Sequence, residues 1–215
     1  MPSLIGPPHA LQRHTLVLLV MDVVESVRLM EQDQDNFVRR WQQLVWHAEQ
    51  EILPRHGGYI VKSMGDGLML AFASPLRCVQ AAYSLLNFCQ QTHAHWHPAQ
   101  QMHLRMGCHL ASFVADRRDI YGIDVNLTAR LCALAGPGDI VISAKIRDRL
   151  VPGLDAEIED LGECYLRHVT KPVHAYRITP PGMAFAFTAQ PVACSALQAT
   201  FAVTPMAGPQ NALPG

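Results

Sequence analysis

Two aspartates stand where strands are expected to end. Residues 16–21 form an unbroken apolar run that stops at Asp22. Further on, Lys62-Ser63-Met64-Gly65-Asp66-Gly67 separates the apolar stretches 59–61 and 68–72. Two strands joined by a Gly-rich turn form a hairpin, and this hairpin carries the Asp66 carboxylate at its tip. A strand end and a hairpin tip that each deliver an Asp are one way for an α/β fold to hold hard cations, which take few oxygen ligands from protein and the rest from phosphate and water. Two such cations clamp the attacking and leaving oxygens of a phosphoryl displacement. Each aspartate also has a plainer reading: Gly-Asp-Gly is a good turn by itself, and an Asp at a strand end often caps the next helix.

A third constellation lies in residues 118–130, which read RDIYGIDVNLTAR. Asn126 and Arg130 are four apart, so a helix places them on one face. An amide and a guanidinium so placed can grip a ribose and a phosphate. With Asp22 and Asp66, this segment makes the chain resemble the class III nucleotidyl cyclases, the adenylate and guanylate cyclase catalytic domain. The resemblance covers about residues 15–178.

The resemblance implies roles residue by residue. Asp22 would ligate two metal ions, Mg²⁺ or Mn²⁺, with the Val23 carbonyl as a further ligand. Asp66 would be the second metal carboxylate. The backbone N–H groups around Val24 and Ser26 would cradle phosphates as a helix N-terminus does. Lys62 and Asp119 fall on the pair that reads the purine. Asn126 would orient the ribose, Arg130 would stabilise charge on the reacting phosphate, and Arg167 would hold the terminal phosphates. Val27 stands where the family often has Thr, and Ala111 where it often has Gly; neither departure removes a catalytic side chain.

The reaction so implied is attack of the ribose 3′-oxygen on the α-phosphorus of the same nucleotide, with release of pyrophosphate. Intramolecular attack leaves positioning and charge stabilisation as the main tasks. Adenine offers an N6 donor and an N1 acceptor. An Asp that accepts and a Lys that donates therefore favour ATP, whereas guanine presents the reverse pattern. The resemblance further implies a homodimer in which each site draws on both subunits. The alternatives are a guanylate cyclase and a non-catalytic, cyclase-like nucleotide-binding or regulatory module. A diguanylate cyclase-like enzyme would need a Gly-Gly-Asp/Glu-Glu-Phe turn, which Gly65-Asp66-Gly67 does not supply.

The elements that must position these groups follow from periodicity. A strand is expected over 15–21. A helix is expected over 32–53, from Phe37, Trp41, Leu44, Val45, Ala48 and Ile52, ended by Pro54 and Gly57-Gly58. After the hairpin, Pro75 opens a second helix with the buried stripe Cys78, Ala81, Ala82, Leu85 and Cys89. A strand is expected within 102–113, a helix over 121–135, a short strand over 139–142, a short helix over 145–150, and a closing strand or hairpin over 157–161 and 165–178. The order β-α-β-β-α-β matches a ferredoxin-like core. The fold class is thus an α/β sandwich with a C-terminal elaboration, of the class III cyclase type.

Bulk properties agree. The 215 residues suffice for one ordinary domain plus tails: a flexible leader over 1–14, the domain over 15–178, and a segment over 179–215 that has no Asp, Glu, Lys, Arg or His. That segment reads as disordered, or as a stretch that docks on the domain or on a partner. A net charge of −1 gives no footprint for nucleic acid or an anionic membrane. Neither the N-terminal apolar run nor the interrupted segment 183–203 suits a membrane span. The six cysteines include no Cys-x-x-Cys pair and read as reduced, buried thiols of a cytoplasmic protein. His93, His95 and His97 invite zinc, but no fourth ligand accompanies them, and a solvated loop is the expectation. No sensor domain is recognisable, so regulation is left to an unidentified partner, to solution conditions or to the tail.

Overall fold

The computed structural model describes residues 12–93, 96–116, 119–150 and 156–180. Its strands are β1 (Arg13–Val23), β2 (Gly58–Ser63), β3 (Gly67–Phe72), β4 (Leu104–Ala115), β5 (Ile120–Tyr121), β6 (Ile140–Ser143), β7 (Glu157–Cys164) and β8 (Val173–Thr179). Its helices are α1 (Ser26–His47), α2 (Leu53–His56), α3 (Pro75–His93), α4 (Ile123–Leu134) and α5 (Ala144–Arg147). One sheet runs in the order β2-β3-β1-β4-β6-β8-β7, with β5 paired to β4. Its first four positions are the ferredoxin-like arrangement expected from the element order. The rest is the C-terminal elaboration, in which β6 joins β4 in parallel and the β7–β8 hairpin closes the edge.

β1 is central because it is apolar on both faces: Val17, Leu18, Leu19, Val20 and Met21 are all buried. Side chains alternate across a strand, so Val17, Leu19 and Met21 face one layer and Leu18, Val20 and Asp22 the other. The first layer is the main core, built with Leu29, Phe37 and Leu44 of α1 and Cys78, Ala82 and Leu85 of α3. The second face is smaller: Leu18, Val20, Met69, Ala71, Ala111 and Phe113 meet Val125 and Cys132 of α4. Asp22, at the end of β1, points to this second face.

Several boundaries differ from the sequence expectation. β1 begins at Arg13, inside the expected leader; residues 1–11 and 181–215, with Cys194, lie outside the described residues. The first helix starts at Ser26 rather than Gln32, breaks locally at Asp33, and continues through a π-turn, Ala48–Ile52, into α2. Pro54 does not end it. It sits in the first turn of α2, where its missing N–H is tolerated, and the chain turns out at Gly57, φ 63°. Tyr121 is a strand residue because it pairs with Val114, so α4 starts at Ile123. His93 is not in a solvated loop. It is the buried last residue of α3, its Nδ1 3.1 Å from the Met102 carbonyl. His95 lies outside the described residues, and no group of three or more His, Cys, Asp or Glu side chains gathers as a metal cluster among the described ones. Cys78, Cys89, Cys108, Cys132 and Cys164 are buried thiols outside any disulfide, as expected. Burial pushes the Cys89 and Cys132 thiols up to about 12.

Candidate active site

Asp22 is the last-but-one residue of β1, between Gly67 of β3 and Arg105 of β4. The apolar run that drives β1 into the core ends here, so the first carboxylate appears where the strand emerges. The β2–β3 hairpin brings the backbone of Asp66 alongside: the Val23 N–H donates to the Asp66 carbonyl at 3.2 Å. Gly67 makes this approach possible. A Cβ at that position would lie 2.7 Å from the Met21 carbonyl oxygen and 3.4 Å from Asp22 Oδ1, so any larger residue would push the hairpin off the strand end.

Arg105 was not singled out by the sequence. Its Nε and Nη2 lie 2.8 and 2.5 Å from Asp22 Oδ2. Both side chains are about a third exposed, at 35% and 26%. The available signal was alternation: Leu104 and Met106 belong to the main core, which turns Arg105 to the face of Asp22. The 83-residue separation of the two hides the register that pairs them.

Lys62 and Asp119 are brought together. Lys62 Nζ lies 2.8 and 2.9 Å from the two Asp119 oxygens. A bulge between Ile60 and Lys62 shifts the β2 register and pairs Lys62 with Met69, a residue of the second face. Asp119 leaves the end of β4 on a turn fixed by the Asp116 N–H to Asp119 carbonyl bond, 3.0 Å, and by the Ile120 N–H to Asp119 Oδ1 bond, 2.7 Å. The Lys62 hydrogen bond first, and the Ile120 N–H second, hold the Asp119 carboxyl below the usual carboxylate range.

Asn126 and Arg130 are exposed on α4, whose opposite side, with Val125, Leu127, Thr128, Leu131 and Cys132, is buried. α4 runs back along β4 and nearly touches its backbone: a Cβ on Gly107 would fall 2.1 Å from the Cys132 nitrogen. At its start, Asp124 Oδ2 accepts the Ser112 N–H at 2.9 Å. Beneath it lies His109, which the sequence did not mark as functional. It is 2% exposed, with Nδ1 2.7 Å from Ser143 Oγ and Nε2 3.6 Å from Asp124 Oδ1. Burial brings the His109 imidazole down to about 4 against the pull of Asp124.

The remaining expected residues frame the helix ends. The Val24 N–H donates to the His103 carbonyl at 2.9 Å and is thus engaged within the chain. Ser26, buried, opens α1, where the first N–H groups of a helix lack intrahelical acceptors. Glu25 before it adopts φ 53°, an uncommon conformation for a residue with a side chain. Arg167 is exposed on the segment between β7 and β8. Its neighbour Leu166 clusters with Leu127 and Leu131 of α4, which ties this segment to the helix of Asn126 and Arg130.

Residues 10–180 match the family model described as the adenylate and guanylate cyclase catalytic domain. A putative adenylate cyclase 3 of Rhizobium meliloti is 27% identical over 175 residues, 80% of this chain and 29% of that protein. The chain thus spans less than a third of that relative. Among solved structures, an adenylate/guanylate cyclase/hydrolase from Silicibacter pomeroyi is 25% identical with a TM-score of 0.70, covering 80% of this chain and 99% of that one. The adenylyl cyclase CyaB from P. aeruginosa is 21% identical with a TM-score of 0.69, covering 82% and 100%. The guanylyl cyclase Cya2, 18% identical with a TM-score of 0.66 over 83% of this chain and 98% of that one, shares the fold as well.

Proposed function

The chain belongs to the adenylate and guanylate cyclase catalytic-domain family, and from that premise we propose that it converts ATP to 3′,5′-cyclic AMP and pyrophosphate. The observation that carries the choice of ATP is the Lys62–Asp119 contact, 2.8 and 2.9 Å. It sets a donor beside an acceptor in the order that the adenine N1 and N6 groups require. A wrong base would leave a polar group unpaired at a cost of about 1–3 kcal/mol.

The donor set suits Mg²⁺ or Mn²⁺, two per site. Asp22 and Asp66 supply hard oxygens, and the missing Cβ of Gly67 lets the hairpin that carries Asp66 approach the strand end at Asp22. The chemistry that divalent ions contribute at such a site is activation of the ribose 3′-hydroxyl and neutralisation of the departing pyrophosphate. The chain's own groups do the rest. Lys62 and Asp119 hold the base, Asn126 orients the ribose, and Arg130 stabilises charge on the α-phosphate. Arg167 and the first N–H groups of α1, from Ser26 on, hold the outer phosphates, the Val24 N–H being taken by the His103 carbonyl, and the Val23 carbonyl joins the metal ligands.

A symmetric homodimer supplies both halves of each site. Asp22 and Asp66 come from one subunit, and Lys62, Asp119, Asn126 and Arg130 from the other. The exposure of Ile123, 80%, and Tyr121, 51%, beside α4 supports a partner over this face. The reading also places the protein in the cytoplasm, where ATP is available and buried thiols stay reduced. No helix among the described residues is long and apolar enough to cross a membrane. The deciding experiment is product analysis with ATP and with GTP, in Mg²⁺ and in Mn²⁺. Cyclic AMP as main product is expected. Cyclic GMP in excess would make the protein a guanylate cyclase, and no turnover of either nucleotide would leave a binding module.

A further inference from the structure

We propose that Arg105 is a positioning residue for Asp22, holding one carboxylate oxygen and leaving the other to the divalent cations. This rests on the metal-assisted reading above. Both Arg105 contacts, Nε at 2.8 Å and Nη2 at 2.5 Å, converge on Oδ2. Neither falls on Oδ1. An Arg–carboxylate pair built only for strength would spread over both oxygens.

The backbone of Arg105 is itself fixed. It faces Asp22 in the β1–β4 ladder, its carbonyl accepts the Cys132 Sγ–H at 3.4 Å, and Met106 next to it donates its N–H to the Asp139 carbonyl at 3.0 Å. As a cross-strand pair about a third exposed, it adds little to stability. Its consequence is electrostatic. Two carboxylates alone would attract cations before any nucleotide arrives. A guanidinium on one of them lowers that attraction and fixes the remaining oxygen in one orientation.

The test separates charge from geometry in the full-length chain. Mn²⁺ binding to the nucleotide-free protein is read from the electron paramagnetic resonance of free Mn²⁺, and turnover is read separately with Mg²⁺-ATP. Arg105→Met should bind Mn²⁺ about tenfold more tightly, since a neighbouring positive charge is gone, yet turn over at least about tenfold more slowly, since Asp22 is free to rotate. Arg105→Lys keeps the charge and loses the fork: its Mn²⁺ affinity should stay near the parent's while turnover falls. Should Arg105→Met not fold, Arg105→Gln makes the same neutral comparison. General structural damage would weaken metal binding and turnover together, so Mn²⁺ affinity unchanged or weaker in a folded neutral variant overturns the proposal. Asp22→Ala serves as the reference. If it leaves both Mn²⁺ binding and turnover intact, the metal reading itself fails; if it abolishes binding while the neutral Arg105 variants bind as the parent does, only the role of Arg105 fails.

Discussion

Lys62 and Asp119 meet across 57 residues of sequence, the ammonium of one within 2.9 Å of both oxygens of the other. The contact joins the bulged strand β2 to the turn after β4 and spans the same sheet face that presents Asp22. A double replacement should therefore alter nucleotide choice. With Lys62→Glu and Asp119→Cys together, the ratio of kcat/KM for ATP over GTP should fall by about tenfold or more, because the donor and acceptor at the base edge are exchanged or removed. An efficient guanylate cyclase is not required, since the surrounding residues are untouched. An unchanged ratio would mean that these side chains do not read the purine.

Asp22→Ala and Asp66→Ala should each reduce metal-dependent turnover by at least about 10²–10³-fold with little change in Tm. Both carboxylates lie at the rim of the sheet, where neither fills the core. Steady-state assays beside thermal melts provide the check, and near-native activity in either variant contradicts the site.

Mixing Asp22→Ala with Arg130→Ala tests the shared site. In a heterodimer one site carries both lesions and the other carries none. With random exchange about half the dimers are hetero, so at saturating ATP, where each intact site turns over independently of the other, activity should recover to about a quarter of wild type. A mixture shown by native mass spectrometry to contain heterodimers, yet no more active than its parents, rules the arrangement out.

Acid should weaken the fold through two buried histidines. Burial lowers His93 and His109 from 6.5 to about 4, so between these values the unfolded chain binds more protons than the folded one. The stability that the two neutral imidazoles contribute is complete above pH 6.5 and is lost as pH falls through about 4. Asp124 and Lys145 face His109 with opposite charge effects, Asp124 favouring the imidazolium and Lys145 opposing it. His109→Asn, which keeps a donor near Ser143, should flatten the pH dependence of urea stability across this window. An identical slope in the variant would show that His109 does not titrate with folding.

How much of this was legible in the sequence depends on how local each signal is. The apolar run ending at Asp22 and the Gly-Asp-Gly turn announce themselves within a few residues, and both carboxylates are found where those signals point. α1 was misjudged because Asp33 interrupts its periodicity and because Pro54 sits in the first turn of α2, after the π-turn, where it does not end the helix. Arg105 escaped because its meaning lies in a strand register set by distant residues. His109 escaped because a histidine among the apolar residues of β4 looks like core filling. Only the folded chain places it under the start of α4.

The β2–β3 hairpin carries Lys62 on one strand and Asp66 at its tip, four residues apart on a stiff, hydrogen-bonded arm. In the proposed dimer these two residues serve different sites. An adenine that draws Lys62 toward one pocket therefore tugs on the cation ligand of the other. Coupling through the arm would show at sub-saturating ATP as cooperativity in loading: a Hill coefficient for ATP that departs from one and returns to one when Lys62 is replaced by Met.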